Sequence, residues 1–424
     1  MKVFMLGWEF PPFISGGLGT ACYGLTRALD QLGHEVVFVL PQPVDNRSAT
    51  HVQLKSPNDC RTSPAYQIHG LQHVEFHGIP SNLQPYISPG DFVQQAPAAE
   101  TAVPNDPQSA GGMTGHYGGD LFTEVRRYAK IAAQMAIDEK FDVVHAHDWM
   151  TYPAGIAVSA ISGKPLVVHV HSTEFDRSGE LVNQRIYDIE RMGIQNAEKV
   201  IAVSYFTRNI VLKRYAASAA KVEVVYNAID RNGEHDALPP PIERDEKIVL
   251  FLGRITMQKG PEYFLAAARK VLEYEKNVRF IMAGSGDLIR RSIEMAAQMG
   301  IGRKVLFTGF LRGDDVARVY KMADLYVMPS VSEPFGIAPL EALSHDVPVL
   351  ISKQSGVSEI LTHVLKVDFW DIDEMANKII AVLRHPPLRA TLREHGQFEV
   401  RRLTWQGAAR NCVEVYQKAI AALN

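Results

Sequence analysis

Cysteine is scarce in this sequence: Cys22, Cys60 and Cys412 are all it has, far apart and without a Cys-x-x-Cys spacing. That argues against a disulfide framework and against a thiolate metal site, and it fits a reducing, cytoplasmic compartment. Long apolar runs are missing as well. None reaches the ~20 residues that a membrane-spanning helix needs, so no integral membrane segment is expected. The opening Met1-Lys2-Val3-Phe4-Met5-Leu6-Gly7 has too short an apolar stretch for a signal peptide and reads as a first strand. Nor is charge of one sign in excess, since 44 Lys plus Arg stand against 47 Asp plus Glu for a net charge of -3. Nucleic acid is therefore not expected as the partner.

What is present is enough for a large core. A chain of 424 residues with 46% hydrophobic residues exceeds one ordinary domain and suggests two. Short apolar runs alternate with helix-period stretches: Val3 to Leu6, a glycine loop, a helix towards Leu32, then Val36 to Leu40. That order predicts a right-handed βαβ unit on a parallel sheet. Strands over 142–147, 166–171, 199–204 and 222–226 continue the series, which places a first domain over residues 1–237. Residues 80–119, rich in Pro, Gly, Gln, Ser and Ala, read as a mobile insert. Leu238-Pro239-Pro240-Pro241 excludes helix and central strand, so 238–246 reads as the linker. The alternation then restarts at Ile248 and fills 247–400. A last helix over 401–424 carries an apolar stripe through Ala408, Ala409, Cys412, Val413, Tyr416 and Ile420 that needs a partner surface. The fold class expected is α/β: two doubly wound Rossmann-like domains facing each other across a cleft.

Four stretches carry candidate chemistry. In Gly253-Arg254-Ile255-Thr256-Met257-Gln258-Lys259-Gly260 a strand leads through two cations to a helix opening with Pro261. Two cations beside a helix start suit a diphosphate. No Gly-Lys-Ser or Gly-Lys-Thr follows, so this is not a Walker loop, and a solvated turn is the plain alternative. Glu333 and Glu341, seven residues apart, flank Phe335-Gly336-Ile337, with Glu333 in a loop and Glu341 on a helix. Carboxylates there could accept hydrogen bonds from sugar or ribose hydroxyls, or stay solvated as most surface glutamates do. His145, His147 and Asp148, then His169 and His171, sit at strand ends, each histidine pair on one face. Two facing pairs could ligate a metal, but hydrogen bonding or packing explains them as well. Finally, Ser15-Gly16-Gly17-Leu18-Gly19 is a possible anion nest, and Cys22 stands where a dinucleotide fingerprint needs its third glycine. Hydride chemistry on NAD is thereby disfavoured.

Together these stretches resemble the glycogen and starch synthase-like group 1 retaining glycosyltransferases, whose fold is called GT-B. The likeness rests on Glu333 to Glu341, on Gly253 to Gly260, on His145-Ala146-His147-Asp148-Trp149 and on Thr404-Trp405 before the last helix. By position it implies that Arg254 and Lys259 hold the diphosphate, that Glu341 binds the ribose and that Glu333 binds the donor sugar. His171 would lie beside the anomeric centre, with Asp148 and His147 on the acceptor side. Leu311 would help to read the base, while Gly16, Gly17, Gly253, Phe335, Gly336 and Ile337 would line the donor. The resemblance implies no metal and no cofactor beyond the nucleotide-sugar donor, a saccharide acceptor, and a last helix returning to the first domain. Two positions depart from the family pattern. Ile14 stands where starch and bacterial glycogen synthases have Lys, and Ser355 replaces the first glycine of a Gly-Gly pair. A small-molecule, lipid-linked or cell-surface acceptor, or a non-catalytic nucleotide-sugar-binding role, are the alternatives.

Overall fold

The computed structural model describes residues 1–10, 17–42, 65–66, 72–80, 121–229 and 246–423. Strands with no polar alternation belong in parallel sheets covered on both faces, and that is where they lie. Strands β1 (Lys2–Leu6), β2 (Glu35–Gln42), β3 (Ala65–Tyr66), β4 (Val74–Pro80), β5 (Val143–His147), β6 (Leu166–Val170), β7 (Lys199–Ala202) and β8 (Val222–Val224) form one sheet. Its order is β3-β4-β2-β1-β5-β6-β7-β8, parallel except for the β3–β4 pair. The strands of a second sheet are β9 (Lys247–Leu252), β10 (Val278–Ala283), β11 (Val305–Gly309), β12 (Leu325–Met328), β13 (Val349–Ser352) and β14 (Leu365–Val367). This sheet is wholly parallel, in the order β11-β10-β9-β12-β13-β14. Each sheet reverses its winding once, between β1 and β5 and between β9 and β12. Such a reversal opens a crevice at the carboxyl ends of the two strands, where ligands bind in folds of this class.

Register decides what meets there. The β5–β6 pairing sets His147 opposite His169, and β1 sits against β5 with Met5 opposite His145. The helix Tyr152–Ser162 has Pro153 in its first turn and Gly163 closing it at φ 66°. Strand β6 is shorter than predicted. It ends at Val170, which leaves His171 on the loop, because Thr173 and Asp176 form a reciprocal cap that starts a short helix, Glu174–Ser178. The helix Tyr205–Arg214, capped by Ser204, and the helices Ile372–Arg384 and Pro386–Val400 are likewise not anticipated from the sequence. The tract 81–119 and residues 238–245 of the proline-rich linker lie outside the described residues.

The last helix, Trp405–Leu423, packs along the first helix, Gly17–Gln31. The Trp405 ring lies so close to Gly24 that a Cβ there would stand 2.2 Å from it. Farther on, Tyr416 hydrogen-bonds His145 Nδ1 at 2.7 Å. Cys22 and Cys412 are buried free thiols on these two helices. Among the described residues no helix is long and apolar enough to cross a membrane. Trp405 is 4% exposed, so Trp405→Ala should cost about 3–5 kcal/mol as other buried Trp truncations do. Urea unfolding measures this, and an unchanged midpoint would show that the helix contributes nothing to holding the two ends of the chain together.

Candidate active site

At the end of β9 the chain enters the loop that carries Arg254 and Lys259. Gly260 closes it at φ 65°, and a Cβ there would stand 2.2 Å from the Pro329 carbonyl oxygen. Only glycine lets this loop lie against the end of β12. The Val331 amide then donates to the Gln258 carbonyl at 2.9 Å, and the buried Gln258 side chain accepts from Arg254 Nη2 at 3.2 Å. These contacts bring the two cations to the loop after β12. Lys259 Nζ reaches Glu333 Oε2 at 2.5 Å, and Ser330 Oγ donates to the same oxygen at 3.2 Å. A lysine and a glutamate 74 residues apart in sequence thus form one charge-assisted pair at the switch point of the second sheet.

Glu341 lies on the helix Ile337–Ser344, as its spacing from Glu333 predicts. Burial pushes its carboxyl above the usual range, and the Tyr320 hydroxyl, donating at 3.0 Å, pulls it back down. Gly336, at φ 106°, makes the turn between the two glutamates. Phe335 and Ile337 are largely buried, so only their main chain can face a donor. Gly17, at the start of the first helix, faces Ile337 across the cleft, where an added Cβ would be 3.9 Å from Ile337 Cδ1. Gly16 lies outside the described residues. Gly253 follows β9, its amide donating to the Ala283 carbonyl at 3.0 Å. Leu311, half-buried, follows β11 next to the exposed Phe310, over which the Arg312 guanidinium stands at 5.2 Å.

The first sheet supplies the opposite wall. His145 and His147 stack at 4.2 Å between ring centroids, and His169 and His171 at 4.1 Å. His147 Nδ1 and His171 Nε2 are hydrogen-bonded at 2.9 Å. Burial lowers all four imidazoles, His147 to about 3, so the stack is neutral. Ring nitrogens of His145, His147 and His169 lie within 4.8 Å of one another, and His145 Nε2, His147 Nε2 and both His169 nitrogens have no hydrogen-bond partner among the described residues. The three ring planes lie within 10–32° of parallel, with centroids 4.2–5.3 Å apart. The group packs as stacked imidazoles. Asp148 and His147, the two residues expected on the acceptor side, are buried and hydrogen-bonded to His171. Asp148 accepts from the His171 amide at 2.7 Å and the Ser172 amide at 3.3 Å, and so shapes the loop that presents His171.

Sequence reasoning missed the residues that join the two walls. Ser332 Oγ donates to Asp176 Oδ1 at 2.5 Å, and the Pro334 carbonyl accepts from Ser204 Oγ at 2.6 Å and Thr207 Oγ1 at 3.2 Å. Glu359 accepts from the amides of Tyr205 and Phe206 at 2.9 and 2.5 Å, at the positive end of the helix Tyr205–Arg214. The Tyr226 hydroxyl donates to it too, at 3.1 Å. Thr173-x-x-Asp176 and Ser204-x-x-Thr207 are legible as helix starts, but no local pattern shows that their side chains also reach the second half of the chain.

Comparison with known proteins identifies the family and the fold. Residues 236–398 match the family model for glycosyl transferases group 1, and residues 95–232 match that for glycosyltransferase family 4. An uncharacterized glycosyltransferase of Methanocaldococcus jannaschii is 30% identical over 99% of both chains. A glycogen synthase of Mycobacterium tuberculosis is 25% identical over 99% of this chain and 95% of its own. Among solved structures, a sucrose-phosphate synthase from Thermosynechococcus elongatus superposes with a TM-score of 0.73 over 99% of each chain at 20% identity.

Burial pushes the Asp148 carboxyl from 3.8 up to about 7, against the pull of the Arg177 guanidinium and the two amides. The native carboxyl therefore keeps its proton to a higher pH than the unfolded one. Its contribution to stability is complete below about pH 4 and is lost as the pH rises through about 7, at most about 4 kcal/mol. Asp148→Asn keeps an acceptor oxygen and removes the charge. The variant should gain stability over the wild type at pH 8, and the gain should shrink towards pH 5. Thermal melts at the two values measure it, and a gap independent of pH would show that Asp148 does not titrate in this range.

Proposed function

Because the chain belongs to the group 1 glycosyltransferases, we propose that it moves a hexose, glucose in the best-supported case, from a nucleoside diphosphate sugar to a saccharide hydroxyl with retention of configuration. The observation that carries this reading is the Lys259–Glu333 pair beside Arg254 at the mouth of the second sheet. Without donor, the lysine and the carboxylate neutralise each other. With donor, the diphosphate would take up Lys259 and Arg254 while sugar hydroxyls donate to Glu333, so both charges stay compensated in a site that excludes water. Glu341 would accept from the ribose hydroxyls, and the buried start of the helix Pro261–Tyr274 adds its positive end.

In the reaction the bond from C1 of the sugar to the diphosphate oxygen breaks and its electron pair stays on that oxygen. The acceptor hydroxyl oxygen bonds to C1 from the same face and passes its proton to the leaving diphosphate. Arg254 and Lys259 stabilise the charge that develops there, so the reading requires neither a metal nor a protein nucleophile. His171, neutral and held by His147, would sit beside the sugar. Support for glucose and for a glucan acceptor comes from the full-length similarity to the M. tuberculosis glycogen synthase. Ile14 weakens ADP-glucose as the donor.

Incubation with UDP-, ADP- and GDP-glucose and with glycogen or maltose should release nucleoside diphosphate and yield an α-linked product by NMR. No release from any pair would leave only a nucleotide-sugar-binding role. Arg254→Ala should lower kcat about 10²–10³-fold, as the loss of one oxyanion donor does, and near-normal turnover would sink the assignment. Glu341→Gln should weaken nucleoside diphosphate binding in a thermal-shift titration. If instead it abolished turnover at unchanged affinity, Glu341 would be an acid or base and not a clamp on ribose.

A further inference from the structure

Where the distal part of the helix Pro261–Tyr274 meets the start of the helix Ile372–Arg384, just after β14, the surface forms an open hollow of about 680 Å³. Its wall is Trp370, 57% exposed. The indole is buttressed edge-on by Phe369 at 4.8 Å, and Phe369 in turn by Tyr263 at 5.0 Å. We propose that this hollow is a second saccharide site, which holds a neutral glucan chain while another part of the chain reacts. The inference rests on the glucan-transferring reading given above.

Three features select that ligand. An exposed indole held in place by its neighbours presents a π face at little cost in side-chain freedom, and that face attracts the polarised C–H bonds of a pyranose ring. The rim carries groups of both signs, Arg269 and Lys270 against Glu273, Asp371 and Asp373. Lys270 hydrogen-bonds Asp373, and Asp371 caps the helix by accepting from the Glu374 amide at 3.0 Å. A rim so nearly balanced gives no net field for a phosphate or a polyanion, and it is too charged for an acyl chain or an apolar peptide. A neutral ligand dense in hydroxyls meets both demands, because carboxylates accept from hydroxyls while guanidinium and ammonium donate to them. The volume falls within the ordinary range for small-ligand clefts.

Position supports a role in retention and not in chemistry. Arg269 to Glu273 lie roughly 15–21 Å along the chain from Lys259 at 1.5 Å per residue. A polymer gripped there keeps its other ends at a raised effective concentration near the reaction centre, whereas a short acceptor gains nothing.

The test compares the wild type with Trp370→Ala and Trp370→Phe in native gels containing glycogen, and with glycogen or maltotriose as acceptor. Trp370→Ala should lose the retardation and show a KM for glycogen raised about tenfold, with kcat and the KM for maltotriose unchanged. Trp370→Phe should retain most of the retardation, and equal melting temperatures would show that all three proteins are folded. Equal retardation of wild type and Trp370→Ala, or no retardation of the wild type, would overturn the proposal. Failure of the transferase reading shows itself separately, as no nucleotide release from any donor, including with maltotriose.

Discussion

Loop Ser330–Gly336 is held from both halves of the molecule, and the geometry of the site depends on that grip. From its own half, the Glu333 amide donates to the Gln354 carbonyl and the Glu333 carbonyl accepts from the Gly356 amide, each at 2.9 Å. From the opposite half, Asp176 takes the Ser332 hydroxyl, and Ser204 and Thr207 take the Pro334 carbonyl. Glu333 lies between those anchors. Each such hydrogen bond is worth only about 1 kcal/mol net, but leaving one buried partner unpaired costs about 1–3 kcal/mol. The loop therefore has one well-satisfied arrangement when the two halves are together. Gly356 marks how tight the contact is, since a Cβ there would stand 2.2 Å from the Pro334 oxygen and 2.5 Å from Ser204 Cβ.

The two walls differ in electrical character. The second sheet contributes Arg254 and Lys259, balanced by Glu333, at the ends of its central strands. The first contributes imidazoles that burial and mutual proximity keep neutral. A protonated stack would add positive charge across the crevice from Arg254 and Lys259. Neutral rings can still hydrogen-bond and pack, and the His147–His171 bond fixes how one ring is presented. Asp148 completes this wall from below, at φ 58°, a backbone conformation unusual for a residue with a side chain. Its two amide bonds hold the His171 loop in place.

Much of this was legible. The apolar runs locate the strands of the first sheet's parallel core to within about two residues, and the restart at Ile248 locates β9, because strands covered on both faces must be apolar throughout. That Glu333 lies in a loop and Glu341 on the helix after it, and that Arg254 and Lys259 share one loop, follows from strand, loop and helix succeeding one another over short stretches. Where sequence reading stopped short, the cause is physical in each case. His171 reads as the last residue of a strand, but the cap made by Thr173 and Asp176 ends β6 at Val170. The family position of Asp148 and His147 does not by itself show that both are buried and hydrogen-bonded to His171, at its amide and at its ring. Asp176, Ser204, Thr207 and Glu359 carry no local signal for the contacts they make, because each partner is more than 120 residues away along the chain.

By itself the amino-acid sequence determined the architecture of alternating strands and helices, the glycine-bounded cationic loop and the spaced glutamates, since all of these follow from periodicity, backbone freedom and short-range order. Only the tertiary structure decided that Lys259 meets Glu333, that the histidines stack as neutral rings, and that the second half's loop is gripped by the first. Such contacts depend on where two separately wound sheets come together, and hydrogen bonds and burial between distant segments leave no periodic trace in the chain.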